Sequence, residues 1–236
     1  MTKSSKIQSL LSKSHYNFDD LCLILEILRG EGGCPWDAEQ THQSIRKNLI
    51  EETYEVIEAI DTNDSKLMRE ELGDVLLQVV FHAQIERELE HFTIDDVAND
   101  VCAKLIHRHP HIFADVSAET SDEVLKNWEA IKNAEKSRNT TYDKLNSIPP
   151  MMPALMRAQK VAKKSGEYKS LINSEIISNI KDIVSCLENS PESIKNTDIG
   201  ELLFAITALC GKCDMDAEEA LYSKTNIFIE SYKNNQ

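Results

Sequence analysis

The sequence predicts an all-α protein, and three observations support that fold class. Apolar residues recur at helical spacing along most of the chain, and no segment alternates convincingly as a strand does. Glycine and proline are scarce, with 7 and 6 residues among 236. A chain of this length can form one large domain or two small ones.

Five helices are predicted in the N-terminal part of the chain. Asn17 is placed to cap the first, and Thr93 followed by Asp96 resembles a capping box that opens the fourth. The predicted bounds are Phe18–Leu28, Asp37–Ile60, Ser65–Glu90, Thr93–His107 and Ser121–Lys136.

A proline-rich stretch over residues 139–153 predicts a linker. It separates an N-terminal domain, residues 1–138, from a C-terminal domain, residues 154–236. Helical spacing in the C-terminal domain predicts four further helices. Their predicted bounds are Ala154–Lys164, Ser174–Leu187, Asp198–Cys210 and Asp216–Tyr232.

Two acidic motifs mark the second and third helices. They are Glu51-Glu52-x-x-Glu55 and Glu71-x-x-Asp74. Because residues three and four apart share a helix face, each motif directs its carboxylates to one side. The two motifs are therefore candidates for a single acidic site between neighbouring helices.

The third helix is apolar around nearly its whole circumference, which is typical of a buried helix. Its narrow polar stripe consists of Glu71, Asp74, Gln78 and His82. A buried, uncompensated charge costs several kcal/mol, so such acids need protonation, a cationic partner or a metal ion.

Few Lys or Arg residues share these helix faces, so hard divalent cations, Mg²⁺ or Mn²⁺, fit the all-oxygen donors best. For residues 51–58 alone, a solvated helix face is an equal alternative.

The stretch Lys104–His111 is the densest cationic segment of an acidic half. Pro110 is expected to end the fourth helix there, which would make its end an anion-binding site or simply a solvated helix terminus. Trp36, in the loop Cys34-Pro35-Trp36-Asp37, either plugs a gap between helices or forms a flat wall for an aromatic ligand.

The net charge of −14 is concentrated in residues 1–140, which hold 15 Lys and Arg against 27 Asp and Glu. This balance disfavours binding to nucleic acid or to an anionic membrane. The first 17 residues lack the apolar segment of a secretion signal, and no run approaches a membrane span. Six cysteines without a secreted framework predict a reduced, cytoplasmic chain, with Cys210-x-x-Cys213 only a lone pair.

Sliding the chain against itself by 127 residues reveals an internal repeat. Glu71–Leu77 falls on Asp198–Phe204, and the apolar positions of the second helix also match. Three glutamates and a glutamine are not repeated: Glu51, Glu52, Glu55 and Gln78 fall on Ser178, Asn179, Asp182 and Ala205. The second copy keeps an acidic pair, Asp198 and Glu201, and we interpret it as structural or regulatory. Gly73 and Gly200, inside matching helices, predict close helix contacts.

A set of motifs spread over residues 18–236 resembles the bacterial MazG family of the all-α NTP pyrophosphatase superfamily. The motifs are Gly33-Cys34-Pro35-Trp36-Asp37, Glu51-Glu52-x-x-Glu55, Glu71-x-x-Asp74, Arg108-His109-Pro110-His111 and Pro153-Ala-Leu-Met-Arg-Ala-Gln-Lys160.

This resemblance implies tandem MazG-type helical repeats and a four-helix-bundle-like core completed by homodimerisation. It also implies Mg²⁺-dependent hydrolysis of ribo- or deoxyribonucleoside triphosphates to the monophosphate and pyrophosphate, with removal of non-standard nucleotides as one form of the activity.

Residue by residue, the resemblance makes Glu52, Glu55, Glu71 and Asp74 the metal ligands. Glu51 becomes a further ligand or the base that orients water, so Glu51, Glu52 and Glu55 are the catalytic candidates. Lys104 and Arg108 would hold the pyrophosphate group, and Trp36 would line the base pocket.

Two other function classes remain open at this level. Di-iron proteins use paired Glu-x-x-His motifs, and the strings Glu39-x-x-His42 and Glu88-x-x-His91 match that pattern. A nucleotide-sensing or partner-binding bundle would use the same acids without turnover. Binding of a nucleoside triphosphate without pyrophosphate release would identify the second class.

Overall fold

A computed structural model describes residues 2–114, 117–118, 120–135, 140–189 and 191–233. These residues form α-helices and contain no β-strand, so the all-α prediction is confirmed. The chain divides into two compact units, Met1–Ser117 and Ala118–Gln236. No helix in the described ranges is both long and apolar enough to span a membrane.

The first unit is built around a hairpin of two long helices. Its helices are α1 (Lys3–Leu11), α2 (Phe18–Arg29), α3 (Pro35–Glu39), α4 (His42–Asp61), α5 (Ser65–Glu88), α6 (Ile94–Arg108) and α7 (Pro110–Phe113). Helices α2, α4 and α6 all pack on α5. Their shared core consists of Leu25, Ile45, Val80, Phe81 and Ile85.

Side-chain caps set where these helices begin. Asn17 and Asp20 form a capping box at the start of α2, and Thr93 and Asp96 form another at α6, as the sequence predicts. Asp64 caps α5 by accepting from two backbone N–H groups. Just before it, Asn63 takes a left-handed conformation with φ of 54° and turns the chain between α4 and α5.

The prediction of one helix over Asp37–Ile60 is wrong at its N-terminal end. The chain forms the short α3, breaks at Gln40, and starts again after Thr41, whose side chain caps α4 together with Ser44. The Arg29 guanidinium donates to the carbonyl oxygens of Asp37 and Gln40 at 2.6 and 3.1 Å. These long-range bonds hold the break, and local spacing does not encode them.

Among the helices that were not predicted are α1 and one helix in the expected linker. Helix α1 packs on α2 and ion-pairs through Lys6 with Glu26. Helix α9 (Thr141–Asn146) lies within the expected linker, because Thr140 and Asp143 form a capping box there. The predicted helix end at Lys136 and linker start at Asn139 lie outside the described residues.

The expectation that α5 is buried almost all round is wrong for a single chain. Leu72, Leu76 and Val79 are 50%, 41% and 37% exposed, although the polar Glu71 and Gln78 are buried. Neighbouring α4 exposes Ile50, Tyr54, Ile57 and Ile60. Because α5 is apolar around nearly its whole circumference, it needs packing partners on every side. Helices α2, α4 and α6 pack on only part of its surface.

Gly73 lies on α5 and does not make the close helix contact predicted for it. A Cβ built there, or at Gly200, would meet no described atom within 4 Å. Within its own unit, each glycine therefore borders open space.

The second unit repeats the packing order of the first. Its remaining helices are α8 (Ser121–Glu135), α10 (Ala154–Ser165), α11 (Glu167–Ser170), α12 (Asn173–Asn189), α13 (Asn196–Lys212) and α14 (Ala217–Glu230), with a 3-10 turn at Pro191–Ser193. Helices α10, α12 and α14 pack on α13 as α2, α4 and α6 pack on α5. The hairpin of α12 and α13 thus corresponds to the hairpin of α4 and α5.

Candidate active site

Three carboxylates converge where α4 and α5 pack together. Each of Glu52, Glu55 and Glu71 offers one carboxylate oxygen, and these oxygens lie within 4.8 Å of one another. Glu71 is buried, Glu52 is half-buried and Glu55 is exposed, so the cluster opens to solvent on the α4 side. Among the described residues this is the one group of at least three such side chains compact enough for a metal ion.

Two acids of the cluster, Glu71 and Glu52, hold protons more tightly than ordinary glutamates because the pKa of each is raised. The pKa of Glu71 is raised by loss of solvation, by its hydrogen-bonded contact and charge interaction with Glu55, and by the charge of Asp74. The pKa of Glu52 is raised by loss of solvation and then by the charge of Asp74. A divalent cation among these oxygens would remove the repulsion, and hard all-oxygen donors are those that Mg²⁺ and Mn²⁺ prefer. The donor set therefore fits such an ion.

Asp74 and Glu51 lie beside the cluster. Asp74 is half-buried one turn along α5 from Glu71, close enough for its charge to act on both Glu52 and Glu71. Glu51 is exposed on α4 and its charge also raises the pKa of Glu52. The charges of Asp74 and Glu51 thus act on the cluster, whose three carboxylates lie close enough together for one metal ion.

Gln78 continues the polar line of α5 one turn beyond Asp74. It is 6% exposed, and within the described part of the chain its Oε1 atom has no hydrogen-bond donor. A buried acceptor without a partner costs about 1–3 kcal/mol. The sequence places Gln78 in the polar stripe, but burial of its carbonyl is visible only in the structure.

The cationic candidates lie on α6, which packs on α5. Lys104 is exposed, whereas Arg108 is buried at the C-terminal residue of the helix. Arg108 already interacts with another group of the chain. The prediction that Pro110 ends α6 holds, although Pro110 then begins the short α7.

Trp36 lies on α3 and is 62% exposed. Its position depends on Arg29, whose guanidinium binds carbonyls on both sides of the helix break and forms a two-bond ion pair with Glu88 on α5. Arg29 also stacks over Phe81, with 5.1 Å from its Cζ to the ring centroid. The buried side chain of Arg29 therefore joins α3, which carries Trp36, to α5.

A histidine cluster at the other end of the hairpin was not recognised from the sequence. The Nδ1 atoms of His42 and His82 lie 2.7 Å apart, and His42 Nε2 lies 2.7 Å from a carboxylate oxygen of Glu86. The second oxygen of Glu86 contacts His91 Nδ1 at 2.8 Å. Only one proton fits between the two Nδ1 atoms, so one ring donates and the other accepts.

The two Glu-x-x-His strings do not pair as a di-iron site requires. Glu88 is bound to Arg29, His42 is bonded to His82 and Glu86, and Glu39 is exposed at the end of α3. Glu88 and His42 thus serve contacts between helices.

The corresponding position in the second unit is a cavity of about 320 Å³ whose lining includes Asp182, Asp198 and Glu201. These acids do not come within the ligand spacing that the first unit reaches in the described chain. Asp198 caps α13 by accepting from the Lys195 backbone N–H at 2.9 Å. Asp198 therefore already forms part of the N-terminal cap of α13.

Protonation of His82 is expected to destabilise the fold. Loss of solvation and the neighbouring His42 lower the pKa of His82, so the folded chain binds fewer protons than the unfolded chain. His91 and His42 lower the pKa of Glu86 and so keep it ionised. The stability that this ionisation contributes is lost only at pH values below the usual pKa range of glutamate. Stability linked to His82 should decline as pH falls below about 6.5.

The measurement is the unfolding midpoint at pH 7.5 and 5.5 for the wild type and for His82→Gln. The variant should lose less stability over this interval than the wild type. His15→Gln, at an exposed position, is the control and should keep the wild-type pH dependence. Equal slopes for all three proteins would contradict the assignment.

Comparison with known proteins places this architecture in a class of enzymes. The family described as the MazG nucleotide pyrophosphohydrolase domain matches residues 40–113, which span α4, α5, α6 and α7. The acid cluster, Asp74 and both cationic candidates fall inside that match. The fold and site therefore define an all-α nucleotide pyrophosphohydrolase, which confirms the prediction of a hydrolase.

Two relatives that align with more than nine-tenths of the chain support the same conclusion. The chain is 40% identical over 222 residues to the nucleoside triphosphate pyrophosphohydrolase/pyrophosphatase MazG of Thermotoga maritima, covering 92% of this chain and 84% of the relative. It is 38% identical over 224 residues to the nucleoside triphosphate pyrophosphohydrolase of Escherichia coli strain K12, covering 91% and 85%. A third relative, the uncharacterised protein YabN of Bacillus subtilis, is 49% identical over 149 residues, covering 63% of this chain and 30% of YabN.

This chain belongs to the MazG family. The resemblance inferred from the motifs is thereby confirmed. The family is one of metal-dependent hydrolases, in agreement with the compact acidic cluster.

Proposed function

We propose that this protein hydrolyses nucleoside triphosphates between the α- and β-phosphates, releasing the monophosphate and pyrophosphate. The cofactor is Mg²⁺, for which Mn²⁺ can substitute. The observation that carries the proposal is the convergence of Glu52, Glu55 and Glu71 within 4.8 Å, with the pKa of two of them raised. The named activities of the relatives from Thermotoga maritima and Escherichia coli support it.

The acids of α4 and α5 have two roles in the proposed site, which are to hold the cation and to orient the attacking water. Glu52, Glu55, Glu71 and Asp74 hold the cation, which neutralises phosphate charge and activates water when bound. Glu51, exposed at the margin, serves as a further ligand or as the base that orients the attacking water. The packing of α4 on α5 fixes the two acidic motifs against each other, so binding the ion requires little rearrangement of the backbone.

The leaving pyrophosphate is held from α6. Lys104 is exposed and available as a point charge, while the planar fork of Arg108 suits phosphate oxygens. Because Arg108 is buried and already engaged, it exchanges its partner when the nucleotide binds. Trp36, exposed on α3, provides a flat face for the base.

The experiment that tests the activity is a panel of ribo- and deoxyribonucleoside triphosphates, including oxidised or otherwise non-standard bases. Each is assayed with Mg²⁺ for pyrophosphate and for orthophosphate. Release of pyrophosphate alone is expected, and faster turnover of the non-standard members would identify a house-cleaning role. Nucleotide binding without pyrophosphate release would instead support a sensing bundle.

We assign this activity to the N-terminal domain and a structural or regulatory role to the C-terminal repeat. The proposal is supported by the replacement of Glu52 and Glu55 by Asn179 and Asp182, and by the use of Asp198 as a helix cap. We also propose a cytoplasmic location, because the six cysteines are all free, as is usual in a reducing compartment.

A homodimer is the expected assembly. The apolar side chains exposed along α4 and α5 form a surface that a second copy can cover, and family resemblance favours this partner. Leu76→Lys is expected to shift the protein toward the monomer, because a charge in that interface would lose its solvation.

The measurement is molar mass by light scattering over a concentration series. The matched control is Leu203→Lys, which changes the repeat counterpart of Leu76 at a position 45% exposed. The control should keep the mass of the wild type. A wild type that is monomeric at all concentrations would refute the dimer.

A further inference from the structure

Gln78 lies between two polar clusters on α5. On one side, at helical spacings of seven and four residues, are Glu71 and Asp74, and on the other side is His82. Those three side chains have polar neighbours, whereas within the described chain the buried Oε1 of Gln78 accepts no hydrogen bond. The fold thus retains an unpartnered carbonyl on the helix face that carries the acid cluster.

The internal repeat shows that the fold does not need this side chain. At the corresponding position of α13 stands Ala205, which is completely buried. The second unit packs its helices in the same order with an apolar residue there. Glutamine is therefore present where the acid cluster is complete and absent where the cluster has been lost, which points to a role in the site.

The chemistry of the surroundings restricts what can satisfy Gln78. Its orphaned atom is an acceptor, and the carboxylates of Glu71 and Asp74 are themselves acceptors when ionised. The ligands of the proposed function are therefore candidates for the missing donor. With the base placed at Trp36, the neutral donors that the cation and the nucleotide of the proposed function bring to this face are O–H groups, either on a water molecule that enters with the cation or on the sugar.

We infer that Gln78 is a ligand-orienting residue of the active site, whose Oε1 accepts a hydrogen bond from an O–H group that enters with the cation or the nucleotide. This inference rests on the proposed function and deepens it. In the unliganded protein the residue destabilises the fold, and in the loaded protein it stabilises the bound state.

The test uses Gln78→Met, which keeps the length and flexibility of the side chain and removes the acceptor. Circular dichroism first verifies that each variant is folded. In EDTA the variant should unfold about 2–8 °C above the wild type, since an unsatisfied buried group is gone. With Mg²⁺ and a slowly cleaved triphosphate, its gain in Tm should be smaller than that of the wild type.

Two matched variants complete the set. Gln78→Glu keeps an acceptor of the same reach and should retain most of the ligand-induced gain in Tm. Gln84→Met alters another glutamine of α5, whose side chain donates to Glu88 at 3.0 Å, and should leave the gain unchanged. If Gln84→Met diminished the ligand-induced gain in Tm as much as Gln78→Met does, the effect would be a general one on the helix and the inference would be overturned.

Calorimetry distinguishes the two sources of the donor. If water arriving with the cation is the donor, Gln78→Met weakens Mg²⁺ or Mn²⁺ binding about 2- to 10-fold without nucleotide. If the sugar is the donor, cation binding is unchanged, and affinity falls for an ordinary triphosphate but not for its 2′,3′-dideoxy analogue.

The inference is overturned if Gln78→Met is less stable than the wild type in EDTA and binds cation and nucleotide equally well. That result would mean that Gln78 serves the fold alone. Failure of the proposed function is separately visible, because the wild type itself would then show no cation-dependent rise in Tm and no pyrophosphate release.

Discussion

Replacing Glu55 with glutamine is expected to lower Mg²⁺-dependent pyrophosphate release by more than about 100-fold. Partners that merely orient metal ligands are worth about 10- to 100-fold, and a ligand itself should be worth more. Glu55 has an oxygen within 4.8 Å of oxygens on both Glu52 and Glu71, and its charge raises the pKa of both. Glutamine keeps the shape of the side chain but removes the charge that binds the cation.

The repeat provides the control. Asp182→Asn changes the counterpart of Glu55 and should leave turnover nearly intact, because the second unit lacks the opposing glutamates. A second matched pair extends the test: Asp74→Ala should abolish pyrophosphate release, whereas Glu201→Ala should not. Loss of activity in the C-terminal variants, with activity kept in the N-terminal ones, would reverse the assignment of the active domain.

Magnesium is expected to stabilise the folded protein even without nucleotide. The acids of the cluster repel one another and are partly desolvated, so an ion that binds only the folded state removes a cost already present in it. At a concentration 100-fold above its Kd, such an ion stabilises by about 2.7 kcal/mol. For a domain of this size that corresponds to a rise in Tm on the order of 10 °C.

Glu71→Gln should show the opposite pattern. In EDTA it should unfold at a higher temperature than the wild type, because a buried member of the repelling cluster no longer carries charge. Its response to Mg²⁺ should be smaller. Thermal unfolding in EDTA, in MgCl₂ and in KCl of matched ionic strength measures both effects. Glu201→Gln serves as the control variant, and an equal Mg²⁺ response in all three proteins would contradict a cation site in the first unit.

The main architecture could be predicted from the sequence because its determinants are local. Helical periodicity and the caps at Asn17 and Thr93 located helices α2 and α6 to within a residue or two. The acidic motifs could be placed together for the same reason, since spacing along a helix fixes which side chains share a face. The convergence of Glu52, Glu55 and Glu71 then follows from packing one predicted helix on the next.

Features that depend on distant residues could not be predicted in this way. The break before Thr41 is held by Arg29 from another helix, and the His42–His82 pair joins residues 40 positions apart. The exposure of Leu72 and Leu76 was missed for a related reason. An apolar surface indicates that something must cover it, and periodicity does not say whether the cover belongs to the same chain.

The central claim is that a magnesium ion holds the carboxylates of α4 and α5 together and binds a triphosphate there. A crystal structure with Mg²⁺ and a slowly cleaved nucleotide analogue tests it most directly. We predict oxygens of Glu52, Glu55, Glu71 and Asp74 converging on an ion at about 2.0–2.1 Å, with phosphate oxygens completing its coordination. The same four side chains pointing apart into solvent around a bound nucleotide, with no ion among them, would contradict the claim.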